Sequence, residues 1–372
     1  MNVPRKAARP KRDAFQERLA KLRRRLAQAG LDENDPFLVS ARPNIQYLCG
    51  FTGSHGFLTV SADHATLYTD GRYTTQARAQ ARGVEVCPPS QRPLELLLGD
   101  FKKRKAGRVG FEENRLSYAL YQTLRRALRR TRLEPLNGVI EQFRLVKTAD
   151  EIKKIRRAAR LNSKAFDNVC LRARAEWTES RFAAEIDLEI RVLGADGPAF
   201  ETIVAGGAHS ALPHARARPV PFTPNSLIIV DHGAILDGYN SDMTRALCFG
   251  RIGEMEQRIV RGVSEAQQAA VAAVRPGVQA GTVDRAARKV LEKFGLADAF
   301  PHAAGHGVGL EIHEQPRIGA GEKTRLTTGM VITIEPGVYL EGIGGVRIED
   351  LAVVTKSGCE ILSRTPRQLR VL

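Results

Sequence analysis

The stretch LIIVDHGAILDGYNSDMTRA, residues 227–246, holds three acidic residues, of which Asp231 directly follows an apolar, β-branched run. Its first four residues predict a buried strand that leads into Asp231. Asp237-Gly238 is a turn signal, and the strand predicted after it carries Asp242. A hairpin of this length can bring the two aspartate carboxylates to one patch.

Two later segments also place an acid at the end of a β-branched run. The run 332–334 leads into Glu335, and the run 346–348 leads into Glu349. Burying carboxylates beside apolar strands costs free energy unless a cation or hydrogen bonds compensate them. A surface or salt-bridged role would explain any one of these acids, but it explains all four poorly. Together they indicate a bound cation.

His306 lies in the glycine-rich run 305–309, where the missing side chains allow backbone and ligand to approach closely. Four carboxylates would balance two divalent cations beside a neutral histidine. An oxygen-rich set with one imidazole and no thiolate suits manganese, cobalt or iron, and zinc less well. We therefore expect two divalent metal ions per chain, manganese first, with cobalt, iron or zinc as alternatives.

The chain has 372 residues, which is long for one hydrophobic core, so two domains are expected. Its first part alternates strand and helix patterns, which predicts an α/β domain over residues 1–140. A capping box, Thr148–Glu151, predicts the start of a long helix near the beginning of the second domain. That domain, residues 141–372, has the pattern of an α+β domain.

No apolar run is long enough to cross a bilayer, and the basic N-terminal stretch is not followed by the apolar segment of a signal peptide. The five cysteines are scattered and form no CxxC pair, which is typical of reduced thiols. These features predict a cytoplasmic protein without a membrane partner.

A net charge of +16 concentrates in basic runs such as 102–105 and 125–130. A basic surface can bind nucleic acid or anionic lipid, but a solvated, arginine-rich helix exterior has the same composition. No aromatic or glycine-rich nucleic-acid motif accompanies the charge, so we favour the solvated surface and do not expect a nucleic-acid partner.

Four blocks of the second domain resemble the signatures of the pita-bread metallopeptidases, the superfamily of methionine aminopeptidase, prolidase and aminopeptidase P. They are residues 231–245, 302–316, 333–339 and 345–350. In the first domain, residues 51–54 and 69–73 are similar to the N-terminal domain of Xaa-Pro aminopeptidases. The chain is identified as a member of this family, closest to Xaa-Pro aminopeptidase. The resemblance implies a creatinase-like N-terminal domain and a pita-bread catalytic domain.

The resemblance also implies a set of metal ligands. Asp231 would bind one metal, and Asp242 and Glu349 would bridge both metals. His306 and Glu335 would complete the shell of the other metal. Glu335 would also accept a proton from the bridging water.

Further residues are implied on the substrate side of the centre. His313 would contact the scissile carbonyl or its oxyanion, and His214 resembles the substrate-side histidine of the family. His302 and Arg347 would bind substrate.

Residues around the ligands are implied to support them or depart from the pattern. Thr244 and Thr333 could orient ligands from outside the metal shell. His232 stands where an apolar or small residue is more familiar, and Ala246 stands where threonine is common. Neither change removes a ligand, and His232 could tune the site or only pack.

These roles imply a metal-dependent aminopeptidase that hydrolyses the bond between an N-terminal residue and a following proline, with two metals activating a bridging hydroxide. Its substrates would be peptides with proline at the second position. A homodimer is expected because the N-terminal domain of this family often pairs with its copy. The nearer alternative is an Xaa-Pro dipeptidase, or prolidase. A non-catalytic relative that binds protein or nucleic acid is disfavoured, because such relatives lose ligands and this chain keeps all five.

Overall fold

The computed structural model describes residues 13–372, so the basic N-terminal stretch considered above lies outside the described residues. The chain folds as two compact units, the first ending at Arg144 and the second comprising Leu145–Leu372. Over residues 13–372, no helix combines the length and the apolar character needed to cross a membrane.

The first unit is built on one six-stranded sheet with the strand order β4-β3-β2-β1-β5-β6. Its strands are β1 (Phe37–Val39), β2 (Phe57–Val60), β3 (Ala65–Tyr68), β4 (Glu85–Val86), β5 (Arg108–Glu112) and β6 (Arg132–Leu136). Its helices are α1 (Ala14–Gln28), α2 (Arg42–Cys49), α3 (Thr74–Gln80), α4 (Pro93–Arg104), α5 (Tyr118–Ala127) and α6 (Glu141–Arg144). Strand β5 runs parallel to β1 and β6, whereas β2 runs antiparallel to β1 and β3. The predicted α/β architecture is confirmed.

Apolar runs become the core of this unit because both faces of the central strands are covered. All three residues of β1 are fully buried. Helices α4 and α5 contribute Leu97, Phe101 and Leu124 to a cluster that also contains Leu38 and Val109 of the sheet. The periodic apolar positions of the two helices therefore pack on the same sheet.

The second unit combines four helices with four small sheets. The helices are α7 (Ala149–Arg172), α8 (Glu179–Val192), α9 (Glu254–Ala273) and α10 (Ala280–Lys293). The strands are β7 (Gly197–Pro198), β8 (Ile203–Gly206), β9 (Leu227–His232), β10 (Ala234–Leu236), β11 (Tyr239–Asn240), β12 (Met243–Cys248), β13 (Val331–Ile334), β14 (Gly337–Leu340), β15 (Gly344–Arg347), β16 (Asp350–Val354), β17 (Cys359–Ile361) and β18 (Arg370–Val371). The sheets are β18-β12-β9-β8, β13-β16-β17, β14-β15 and β11-β10-β7, so the predicted α+β class is confirmed.

The predicted capping box begins α7. The Glu151 amide donates to Thr148 Oγ1 at 3.3 Å, and the Thr148 amide donates to Glu151 Oε2 at 2.8 Å. These two bonds satisfy amides that have no partner within the helix. The apolar stripe of the helix buries residues such as Ile155, Ala159 and Phe166.

Two predicted strands differ in detail from the structure. Strand β9 pairs antiparallel with β12, with Asp231 opposite Thr244, and Asp242 lies just before β12 rather than within a strand. The run that leads into Glu349 does not continue as one strand: β15 ends at Arg347, β16 begins at Asp350, and Glu349 lies between them. The strand is interrupted because the Glu349 amide donates to Thr244 O of β12 at 3.2 Å and is therefore not available for pairing in the β14–β15 or β13–β16 ladder.

Candidate metal centre and active site

Three of the predicted ligands converge from distant parts of the chain. One ligand atom from each of Asp242, His306 and Glu349 lies within 4.8 Å of the other two. Asp242 precedes β12, His306 lies in the loop between α10 and β13, and Glu349 links β15 to β16. The fold therefore brings the acids of the hairpin and of the C-terminal strands to one place.

Glu335 joins this cluster through His306. The Nε2 atom of His306 lies 3.3 Å from Glu335 Oε1 and 3.6 Å from Asp242 Oδ2. The glycine before His306 is required by close packing, since a Cβ built on Gly305 would lie 2.1 Å from Thr333 O. Two hydrogen bonds join this loop to β13, from Thr333 N to His306 O at 2.8 Å and from His306 N to Thr333 Oγ1 at 3.0 Å.

Asp231 lies beside the cluster and binds an arginine. Its Oδ2 atom accepts a hydrogen bond from Arg347 Nη2 at 2.7 Å. Its Oδ1 atom and Asp242 Oδ1 are both buried and have no hydrogen-bond partner among residues 13–372. A buried carboxylate oxygen without a donor is costly, and a metal ion would satisfy both of these atoms.

The electrostatics of the acids also call for added positive charge. Burial raises the pKa of Asp242 well above its usual value, and the charges of Glu349 and Asp231 raise it further. Burial likewise raises the pKa of Glu349, with contributions from Glu335 and Asp231. The ionised forms of Asp242 and Glu349 are therefore disfavoured by the protein alone, and a bound cation would favour them. The oxygen-rich donor set with one imidazole fits divalent cations.

Arg347 connects the acids to the residues around them. Its side chain is buried, and its Nε, Nη1 and Nη2 atoms donate to Thr244 Oγ1 at 3.1 Å, Tyr339 OH at 2.6 Å and Asp231 Oδ2. Thr244 Oγ1 in turn donates to Glu349 Oε2 at 2.6 Å. In this structure Arg347 holds the acids in place, and its contact with substrate stays a prediction.

The predicted substrate-side histidines surround the cluster. The rings of His313 and His306 meet edge to face with centroids 4.4 Å apart. His302 Nε2 lies 2.9 Å from Tyr339 OH. Burial lowers the pKa of His313, and the charge of His214 is among the further causes, so His214 lies within electrostatic range. His313 and His214 are exposed to solvent, whereas the metal-ligand acids are buried or partly buried.

His232, which departs from the family pattern, packs as an aromatic side chain. It is fully buried, and its ring stacks on Phe166 at 5.4 Å with a 5° interplanar angle. Its Nδ1 atom lies 2.7 Å from Asn162 Oδ1, and Asn162 Nδ2 donates to His232 O at 2.9 Å. Helix α7 thereby holds the residue that follows Asp231.

Sequence reasoning missed two residues that support the site. Lys147 lies outside the motifs that resemble the family, and Glu314 lies within the block 302–316 but has no function implied by the resemblance. Their buried side chains form an ion pair at 3.0 Å, and Glu314 is the residue that follows His313. The two residues are 167 positions apart, so no local pattern relates them.

Comparisons with known proteins identify the family of both units. Residues 153–356 match metallopeptidase family M24, and residues 18–146 match the creatinase/prolidase N-terminal domain. The Xaa-Pro dipeptidase of Pyrococcus horikoshii is 35% identical over 346 residues, which cover 91% of this chain and 96% of that protein.

Two solved structures are similar along nearly the whole chain. The Xaa-Pro dipeptidase from Bacillus anthracis superposes with a TM-score of 0.92 at 34% identity, over 96% of this chain and 100% of that one. The X-Pro aminopeptidase from Thermotoga maritima superposes with a TM-score of 0.86 at 34% identity, over 94% of this chain and 100% of that one.

Proposed function

Since the chain belongs to metallopeptidase family M24, and is a peptidase with the two-domain pita-bread fold, we propose that it is an Xaa-Pro dipeptidase. The observation that carries the proposal is the convergence of Asp242, His306 and Glu349 beside two further acids. Relatives named Xaa-Pro dipeptidase support the dipeptidase over the aminopeptidase that the first-domain motifs favoured. The similarity to the X-Pro aminopeptidase from Thermotoga maritima supports a second candidate function, the removal of an N-terminal residue before proline from longer peptides.

The proposed metal ligands are the five residues named from the sequence. They are Asp231, Asp242, His306, Glu335 and Glu349. Two divalent ions held by this set, manganese first, would supply Lewis acidity and a nucleophile from water at neutral pH. The orphaned oxygens of Asp231 and Asp242 support the assignment.

Glu335 is proposed to move the proton. Its Oε1 atom accepts a hydrogen bond from Thr333 Oγ1 at 3.0 Å, which fixes the carboxylate beside the other acids. Burial raises the pKa of Glu335, which suits a group that takes a proton from water and returns it to the leaving nitrogen. The proline nitrogen needs that proton because it must leave as a neutral amine rather than as a strongly basic anion.

The histidines are proposed to handle the substrate. His313 and His214 are exposed, whereas the acids are buried or partly buried, so a dipeptide would meet these histidines as it approaches the acids. His313 would donate to the oxyanion that forms at the scissile carbonyl, with His302 and Arg347 on the substrate side of the pocket. An imidazole aimed at that developing charge stabilises the transition state more than the ground state.

The test uses metal-stripped protein reloaded with manganese and three peptides. Ala-Pro should be hydrolysed, Ala-Pro-Ala should stay intact, and Ala-Ala should stay intact because it lacks proline. Release of alanine from Ala-Pro-Ala would establish the aminopeptidase instead. Failure to cleave either proline peptide with manganese, cobalt, iron or zinc would reject both candidates.

A homodimer is part of the proposal, because the first unit matches the creatinase/prolidase N-terminal domain. Sedimentation equilibrium should give twice the chain mass of 40.9 kDa. A monomer at micromolar concentration would reject the dimer while leaving the peptidase proposal unaffected.

A further inference from the structure

The structure assigns Lys147 a positioning role: through its ion pair with Glu314, it holds the loop that presents His313 to the substrate. The inference rests on the proposed function of His313. Lys147 Nζ lies 3.0 Å from Glu314 Oε2, and the two side chains are only 2% and 7% exposed. His313 is the residue immediately before Glu314.

Glu314 is built into the turn that carries His313. Its amide donates to Gly307 O at 2.8 Å, and the Gly307 amide donates to Glu314 O at 3.0 Å. Its Oε1 atom accepts from the Glu311 amide at 3.2 Å, so one oxygen faces the turn and the other faces Lys147. A Cβ built on Gly309 would lie 2.6 Å from the same carboxylate. The side chain of Glu314 therefore fills the inside of the turn.

Lys147 is fixed by its own backbone next to β13. Its amide donates to Gly329 O at 2.9 Å, and Val146 pairs with Met330 directly before that strand. The same strand carries Thr333, which holds the His306 loop. The ammonium group of Lys147 thus links the turn of His313 to the strand that supports the metal-ligand residues.

The exposure of His313 makes this support necessary. His313 is an exposed residue whose ring meets that of His306 edge to face, so the position of the ring depends on where the backbone of the turn lies. A buried ion pair is a poor source of stability, because apolar residues of similar size often stabilise a fold as well or better. The buried pair of Lys147 and Glu314 is therefore better explained by its effect on the geometry of the His313 turn than by its contribution to stability.

The test is a double-mutant cycle that compares kcat of Lys147→Met, His313→Ala and the variant that carries both substitutions. Lys147→Met should lower kcat on Ala-Pro toward the value of His313→Ala, with the content of bound manganese unchanged. In the His313→Ala background, Lys147→Met should cause no further loss of kcat, because residues that act as a unit are not additive. Losses that multiply in the double variant would overturn the inference.

A second variant keeps the test valid if an unpaired buried carboxylate prevents Lys147→Met from folding. Lys147→Met/Glu314→Gln removes both charges and should restore the melting temperature while kcat stays low. A double variant that regains both the melting temperature and kcat would overturn the positioning role. Arg172→Met is the matched control: it removes a 2.9 Å bond to Glu189 between α7 and α8 and should leave kcat unchanged.

A readout without turnover separates this inference from the proposed function. In metal-free protein, Lys147→Met should shift the imidazole resonances of His313 and leave those of His209 in place. Unmoved His313 resonances would overturn the inference whatever the activity. Full activity of His313→Ala would instead reject the proposed role of His313.

Discussion

Thr244 lies opposite Asp231 in the β9–β12 ladder and donates its hydroxyl hydrogen to Glu349 Oε2 at 2.6 Å. The same hydroxyl oxygen accepts a hydrogen bond from Arg347 Nε, and Arg347 Nη2 donates to Asp231 Oδ2. One threonine thus connects, directly or through one arginine, two acids of which one lies in β9 and the other lies between β15 and β16. The register of the β9–β12 ladder therefore determines how the two acids are placed relative to each other.

The first prediction concerns metal stoichiometry. Purified protein should bind two divalent ions per chain, because four carboxylates and one arginine leave negative charge to be balanced. Chelation should remove the ions and abolish peptidase activity, as measured by elemental analysis and hydrolysis of Ala-Pro. Saturation at one ion, or activity that is indifferent to chelator, would contradict a dinuclear centre.

A metal ligand and a substrate-handling residue should differ in their variants. Glu349→Ala should lower metal content and nearly abolish activity, since it would remove one of the proposed carboxylate ligands. His313→Ala should retain both ions and lower kcat by roughly 10²–10³, the scale for losing one oxyanion donor. Metal analysis and kinetics on both variants check this division. Loss of metal from His313→Ala would show that the division is wrong.

The close packing around His306 predicts a strong effect of one methyl group. Gly305→Ala would place a Cβ 2.1 Å from Thr333 O, so the loop must move and displace His306. Metal content and melting temperature should both fall. Gly358→Ala is the control, because the nearest atom to its Cβ would be 3.8 Å away. Equal behaviour of the two variants would argue against the packing explanation.

The capping box of α7 predicts a stability change that a hydroxyl can rescue. Thr148→Ala should lower the free energy of unfolding by about 1 kcal/mol, the usual effect of removing a side-chain cap. Thr148→Ser keeps the acceptor oxygen for the Glu151 amide and should lie close to the wild type. Urea denaturation at equilibrium measures both; an unchanged alanine variant would mean that the cap adds no stability.

The basic runs of the first unit predict weak binding of nucleic acid. Lys102–Lys105 are all exposed, as are Arg125 and Arg126, and such a surface binds phosphates only through screened charge. Affinity for single-stranded or duplex DNA should be weak and lost at moderate salt in a fluorescence-anisotropy titration. Tight binding at physiological salt would support a nucleic-acid partner.

The sequence predicted those features that have a local cause. The cap at Thr148 and Glu151 marks the start of α7, and the apolar run before Asp231 marks β9. Three acids of the centre, Asp231, Glu335 and Glu349, stood out because each follows an apolar, β-branched run, and a carboxylate buried there requires compensation. Family, fold class and the cluster around His306 follow from such patterns together with the resemblance.

Features with non-local causes could not be predicted in this way. The local sequence does not predict the interruption at Glu349, because its cause is a hydrogen bond to Thr244 O, which is far away in the chain. The pairing of Lys147 with Glu314 has no periodicity at all. The preference for an aminopeptidase rested on two short motifs of the first domain, whereas relatives along the whole chain favour the dipeptidase.

The separation of Thr244 from Glu349, 105 positions along the chain, has a consequence for biosynthesis. Since Glu349 is synthesised 105 residues after Thr244, a nascent chain that has not reached Glu349 lacks one of the proposed metal ligands. Contacts this distant in sequence form late in folding, because loop-closure entropy is lost before they stabilise the chain. Metal ions would thus act on the finished protein, stabilising it by mass action, rather than as a template for its early collapse.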